Sequence, residues 1–313
     1  MRKTSLNCVH NLAKADSRVV FIGSDLGPGV LDDMRQEFPE RFFMEGVAEQ
    51  HIIGLAAGLA LEGFVPYVNT IATFLTRRCL EQIAIDLCMH DLPVRLIANG
   101  GGCVYAPLGP THLATDDFAL LRVLPNIGIV APCDAEEMRR LMNTTLDWPH
   151  PLYIRLAKGG DRVISKEEDG FQLGKSIVME TGSDAVVIST GIMTQVAMDA
   201  RCELAKEGVS VGVLHAHTIK PLDIDGITKA VAQVGLAVVI EEHSHIGGLG
   251  SAVLDGLCDE APALLPKITR MALPDQFADE YGSQESLNTR YGLTSKNLIN
   301  KIKAGLESGN VSI

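Results

Sequence analysis

Short apolar runs recur along the chain, each followed by a turn and then by a stretch with helical periodicity. Residues 5–15 place Leu6, Val9 and Leu12 on one face, which predicts a first amphipathic helix. Residues 19–24 are apolar throughout and predict a buried strand, and residues 41–44 a shorter one. Further strands are predicted at 65–70, 94–99, 126–132 and 151–156, with helices at 73–90 and 135–146 between them. Strand, turn and helix in alternation are the pattern of a parallel sheet covered on both faces, an α/β fold. A polar, Gly-rich stretch follows at 158–183, with room for one short strand. From Ala185 a second α/β unit begins, with strands near 185–190, 209–215, 236–241 and 267–272. The predicted organisation is a domain over 1–157, a linker over 158–183 and a smaller α/β domain over 184–313.

The stretch Met44-Glu45-Gly46-Val47-Ala48-Glu49-Gln50-His51 leads into Ile52, Ile53 and a run of Ala, Gly and Leu ending near Ala60. A helix apolar on every side is expected to be buried on every side. Its glycines suggest close approach of another backbone. Glu49 stands at the mouth of that helix, where burial would disfavour ionisation and raise its pKa. Such a carboxyl suits proton handling near neutral pH. The alternative is an acid placed only for the helix dipole.

The composition is 46% hydrophobic and 21% charged, as in ordinary globular proteins. A net charge of −12 argues against nucleic acid and against an anionic membrane as partners. Seven scattered cysteines, none spaced C-x-x-C, suit buried thiols in a reducing cytoplasm better than disulfides or zinc. No apolar run approaches membrane-spanning length and the first residues lack a signal-peptide core, so a cytoplasmic location is expected.

Gly46-Val47-Ala48-Glu49-Gln50-His51 resembles the glutamate motif of the transketolase and deoxyxylulose-phosphate synthase family, and later segments match the same family in order. The resemblance implies a thiamine-diphosphate (pyrimidine-type) binding domain followed by a transketolase C-terminal-type domain. It implies that Glu49 hydrogen-bonds the cofactor's aminopyrimidine and so promotes removal of the thiazolium proton. Phe74 matches the aromatic that stacks on the pyrimidine, and Arg77 an arginine facing the substrate. His112, in Gly109-Pro110-Thr111-His112, matches an active-site histidine; loops at strand ends are where such folds place chemistry. Arg155 matches the arginine that grips the sugar phosphate, with an inter-domain salt bridge as the other reading, and Lys158 nearby could serve either purpose. In the second domain, Ile219-Lys220-Pro221 and Glu241-Glu242-His243-Ser244-His245 through Gly250 resemble the family's C-terminal domain. A metal site at these His and Glu residues is disfavoured against packing, and no metal ligands are assigned to this chain.

Two departures shape the reading. The family carries an aspartate four residues before the histidine, for a substrate hydroxyl; here that position is Leu108. The family also holds magnesium with a G-D-G segment and a later Asn motif, and no G-D-G occurs here. The chain therefore resembles one subunit of a split transketolase. The diphosphate and Mg ligands would lie on a separate N-terminal-type subunit, in an α2β2 assembly acting on sugar phosphates. The expected reaction moves a two-carbon ketol unit from a ketose phosphate to an aldehyde. The alternatives are a deoxyxylulose-phosphate-synthase-like activity, a 2-oxo-acid dehydrogenase β-type subunit, and a catalytically silent partner subunit.

Overall fold

A computed structural model describes residues 1–24, 29, 31–157 and 159–309. Lys158 lies outside the described residues, as does most of the turn after the first strand. The chain begins with a helix, Arg2–Ala15, that buries Leu6, Val9 and Ala13. Six strands follow: β1 (Val19–Gly23), β2 (Phe42–Met44), β3 (Val65–Ile71), β4 (Arg95–Asn99), β5 (Gly128–Val130) and β6 (Leu152–Arg155). β1, β4, β5 and β6 are buried along their whole length, because helices cover both faces of the sheet. Six more strands complete the fold: β7 (Ile177–Glu180), β8 (Ala185–Ser189), β9 (Val211–His215), β10 (Thr218–Lys220), β11 (Leu236–Ser244) and β12 (Ile268–Leu273).

The first sheet runs β10-β5-β6-β4-β3-β1-β2, parallel except for β10. The second runs β12-β11-β8-β9-β7, parallel except for β7, which pairs antiparallel with β9. The apolar pattern of the sequence does not predict β10. It is three residues long and leaves the second unit to lie against β5 of the first, so the second half of the chain completes the first sheet. Around it the backbones interlock: Ala131 N–H donates to the His217 carbonyl at 2.8 Å, and Gly191 N–H to the Ala131 carbonyl at 3.2 Å.

Two sequence expectations need correction. The helix expected over 73–90 is broken: Ala72–Thr76 ends in a turn at Arg77, Arg78 and Cys79, and Leu80–Gln82 then leads into a wider π-type turn, Ile83–Met89. The helix Glu49–Leu61 is not sealed on every side within this chain. Ile52, Ile53, Ala56, Ala57 and Ala60 are buried, whereas His51, Gly54, Gly58 and Leu61 form an open stripe. A Cβ added at Gly54 or Gly58 would meet nothing within 4 Å. Within one chain, these glycines therefore admit no neighbouring backbone.

Candidate active site

In a parallel sheet every strand ends at the same edge, and ligands gather where neighbouring strands send their connections apart. β2 and β3 both flank β1, and β4 lies beyond β3. β2 delivers the helix that starts at Glu49, β3 the short helix containing Phe74, and β4 the loop that ends at His112. Three residues far apart in sequence are thus set on one edge of the sheet.

The floor of that edge is pinned by side-chain amides. Asn69 and Asn99, at the ends of β3 and β4, exchange hydrogen bonds at 3.0 and 3.3 Å, and Asn69 also donates to the Ile97 carbonyl at 3.1 Å. Ser24 Oγ donates to Thr70 Oγ1 at 2.6 Å beside them. All four side chains are buried, so each must be paired, and their pairing fixes the strand ends.

Above this floor Glu49 is 2% exposed, in the first turn of its helix. Its carboxylate has a charged partner. Arg78 Nη1 donates to Glu49 Oε2 at 2.5 Å. The same guanidinium lies over the Phe74 ring, with Cζ 4.1 Å from the centroid. Phe74 in turn meets the His112 ring edge-on at 5.1 Å. Glu49, Arg78, Phe74 and His112 are one continuous chain of contacts. The Cys79 thiol beside it is pushed up to about 12, first by burial and then by the Glu49 charge. His112 Nδ1 is 2.9 Å from Thr111 Oγ1, and its other ring nitrogen has no hydrogen-bond partner among the described residues.

Arg77 points elsewhere. Its Nε donates to Asp116 Oδ2 at 2.8 Å, and both residues line a pocket of about 320 Å³. Pro110, Leu113, Thr115 and Ser244 contribute to the same pocket, so it borders the His112 loop and spans the two domains. Leu108 is 50% exposed in the turn Ala106–Leu108. The next residue, Gly109, takes φ +79°, and a Cβ there would strike the Tyr281 ring at 2.7 Å.

Arg155 does not face this edge as a free phosphate ligand. Its Nε lies 3.1 Å from Asp117 Oδ2, and Nη2 donates to the carbonyls of Ala114 and Glu242 at 2.9 and 2.8 Å. The guanidinium also stacks over Phe118 at 4.4 Å. Asp117 and Tyr153, bonded at 2.8 Å, are fully buried with it, and burial raises both pKa values. These contacts cross between the domains: Asp117 and Ala114 lie on the first and Glu242 on the second.

One grouping among the described residues has metal-ligand types within reach of each other: Cys133, Glu137 and His215, all buried. It is already spoken for. His215 Nε2 lies 2.9 Å from Glu137 Oε2, which also accepts from the Cys133 N–H at 2.5 Å. Burial and the Glu137 charge raise the Cys133 pKa far above the ordinary thiol range, so it stays protonated. His243 is likewise committed, accepting from Ala119 N–H at 3.3 Å through Nε2 and bonding the Ser244 carbonyl at 2.7 Å through Nδ1.

A buried carboxylate, an aromatic face and a histidine in one line fit the pyrimidine half of thiamine diphosphate: an acceptor for a ring nitrogen, a surface for stacking, and a proton carrier nearby. Sequence reasoning marks Glu49, Phe74 and His112 but misses Arg78 and Asp116. Arg78 stands in the turn after the helix, so helical spacing does not place it over the Phe74 ring, and Asp116 has no signal in the sequence either.

Comparison with known proteins agrees with both halves of the chain. Residues 1–160 match the transketolase pyrimidine-binding domain and residues 174–298 the transketolase C-terminal domain. A putative transketolase family protein of Sinorhizobium fredii is 38% identical over 301 residues, spanning 95% of this chain and 86% of that one. A subunit of the apulose-4-phosphate transketolase of Phocaeicola vulgatus is 33% identical over 299 residues, spanning 95% and 94%. A 1-deoxy-D-xylulose-5-phosphate synthase of Syntrophotalea carbinolica is 35% identical over 295 residues, but the match spans only 46% of that longer protein. Among solved structures, a split-gene transketolase described as an inactive β4 tetramer superposes with a TM-score of 0.89 at 32% identity, over 98% of both chains. Two domains in family order and relatives of matching length lead to one conclusion: this chain belongs to the transketolase family, carrying its pyrimidine-binding and C-terminal domains.

Proposed function

We propose that this chain is the cofactor-activating subunit of a two-subunit transketolase. It moves a two-carbon ketol unit from a ketose phosphate to an aldehyde. The observation that carries the reading is the line Glu49–Phe74–His112 at the sheet edge, held by three separate strands. Thiamine diphosphate, when bound, supplies the electron sink for cleaving and forming the carbon–carbon bond. Glu49 would accept a hydrogen bond from the pyrimidine ring nitrogen when that nitrogen is protonated, and its burial would strengthen the bond by excluding water. Phe74 sets the ring plane. His112, with one ring nitrogen open, moves protons at the substrate's oxygens. Arg77, paired with Asp116 at the pocket wall, is the cation placed to meet the substrate.

The diphosphate and magnesium sites belong to a separate subunit bearing G-D-G, in an α2β2 assembly. The similar solved tetramer, built of one subunit type and described as inactive, supports a division of labour between chains. The relative named as an apulose-4-phosphate transketolase subunit supports a sugar-phosphate substrate.

The test is reconstitution with the partner subunit, thiamine diphosphate and magnesium. Transfer from a ketose phosphate to an aldehyde should appear only with both subunits. Glu49→Gln should lower turnover about a hundredfold or more without unfolding the chain. Full turnover by this chain alone, or a Glu49→Gln enzyme at wild-type rate, would remove the reading. Carbon dioxide release with a strict need for a 2-oxo-acid donor would replace it with the synthase-like alternative.

A further inference from the structure

Glu49 and Phe74 are the two groups assigned above to the cofactor's pyrimidine, and one side chain of this chain, Arg78, engages both. We propose that Arg78 is a resident stand-in for that pyrimidine. Its guanidinium occupies the space between Glu49 and Phe74 and must swing out before the cofactor seats. This rests on the reading of Glu49 and Phe74 given above.

The chemistry of the two planar groups is alike. A guanidinium is flat and delocalised, donates N–H bonds in its own plane and stacks on aromatic faces. An aminopyrimidine protonated at its ring nitrogen offers the same three features to the same partners. Arg78 uses all of them, with Nη1 2.5 Å from Glu49 Oε2 and Cζ 4.1 Å above the Phe74 ring. A second planar group cannot bond that carboxylate oxygen and lie on that ring face while the first remains.

The pairing also gives Glu49 a charged partner. A carboxylate that is 2% exposed and unpaired is costly, and Arg78 compensates it. Leaving is easy for the arginine. Its side chain is 41% exposed, and Glu49 is its only hydrogen-bond partner among the described residues. It stands in the turn that breaks the helix, not inside a helix. Arg77 beside it is tied to Asp116, so the Arg78 side chain can rotate about a fixed backbone. When the pyrimidine arrives it takes over the bond to Glu49, and the guanidinium regains water.

The test compares binding of thiamine diphosphate with magnesium to the assembled enzyme in wild-type, Arg78→Ala and Arg78→Lys forms. Calorimetry gives Kd, stopped-flow fluorescence the association rate, and melting curves the stability of the cofactor-free protein. Arg78→Ala is expected to bind about tenfold more tightly and associate faster, because the competitor is gone and Glu49 lacks a partner until the cofactor binds. Its cofactor-free melting temperature should fall, and the rise on adding cofactor should exceed that of wild type. Arg78→Lys keeps the charge without the plane and should fall between the two. Weaker binding by Arg78→Ala would make Arg78 a positioning residue that stays in the complex, and unchanged binding would make it a bystander. Either overturns the stand-in while leaving the proposed function intact. Absence of cofactor binding in all three forms would overturn both.

Discussion

Single residues carry most of the selectivity argument, and Leu108 is the clearest. It stands four positions before His112, where the family resemblance leads one to expect an aspartate. It is 50% exposed. An aspartate there would favour acceptors carrying the matching hydroxyl, whose hydrogen bond it could accept. Leucine cannot accept one. The acceptor is therefore expected to tolerate a deoxy or otherwise modified carbon next to its aldehyde. Acceptors matched except at that carbon should be used within tenfold of one another by wild type. Leu108→Asp should shift the ratio of kcat/KM toward the hydroxylated acceptor by tenfold or more, about 1.4 kcal/mol. A wild-type preference of tenfold for the hydroxylated acceptor would show that Leu108 does not set the choice. At this scale the sequence is legible where a residue type is rare in its context, as with Glu49 before an apolar helix. It is not legible where a partner comes from another strand. Arg155 bonds Asp117 and the Glu242 carbonyl in the fold, and nothing local in the sequence shows those contacts.

Elements show how pattern reading succeeds and where it stops. The strands are legible because each is a short run of apolar residues, with a turn marking its end. The break at Arg77–Arg78–Cys79 is hidden, because both flanking pieces carry helical residues and the turn contains no Gly or Pro. The helix Glu49–Leu61 is instructive in another way. Its apolar circumference predicts complete burial, and the chain alone supplies only half of it, leaving Gly54, Gly58 and Leu61 open. An open stripe on an apolar helix is a candidate contact surface, and self-association through it is expected. Gly58→Leu should leave the isolated fold intact, with a helix-propensity gain of about 0.8 kcal/mol. The added side chain would hold two backbones apart, so self-association should weaken at least tenfold by light scattering. An unchanged oligomer with Gly58→Leu would place the contact on another face.

The whole molecule is held by a junction in which charge and burial oppose each other. β10 carries His217 to the boundary between the two sheets, where the ring stacks on Phe171 at 4.2 Å and Nδ1 pairs with Thr218 Oγ1 at 2.8 Å. Nε2 has no partner among the described residues. Burial pulls the pKa of His217 down to about 4, against the attraction of the Glu137 carboxylate. A histidine neutral in the fold and free to charge when unfolded makes the unfolded chain the better proton binder between pH 6.5 and 4. Stability contributed by this group is therefore complete above 6.5 and falls as pH drops toward 4, by about 3 kcal/mol in all. Other buried groups act in the same region. His243, lowered to about 3 by burial, works in the same direction, while Glu241, raised to about 7 by burial, works in the opposite one. Glu137 meets a burial penalty, but His215 and His217 hold it at about 2, so its contribution is lost only below the ordinary carboxylate range. His243 and Glu241 remain in a His217→Phe variant, which keeps the stacking surface and removes the titration, while Glu137 loses the His217 attraction but keeps its bond to His215. Urea unfolding of wild type and variant at pH 7.5 and pH 5 isolates the difference. Wild type should lose more stability than His217→Phe on acidification, and the gap should close at pH 7.5 apart from the lost Thr218 bond. Parallel losses in the two proteins would mean that His217 is solvated in the fold and that the junction is looser than its burial indicates.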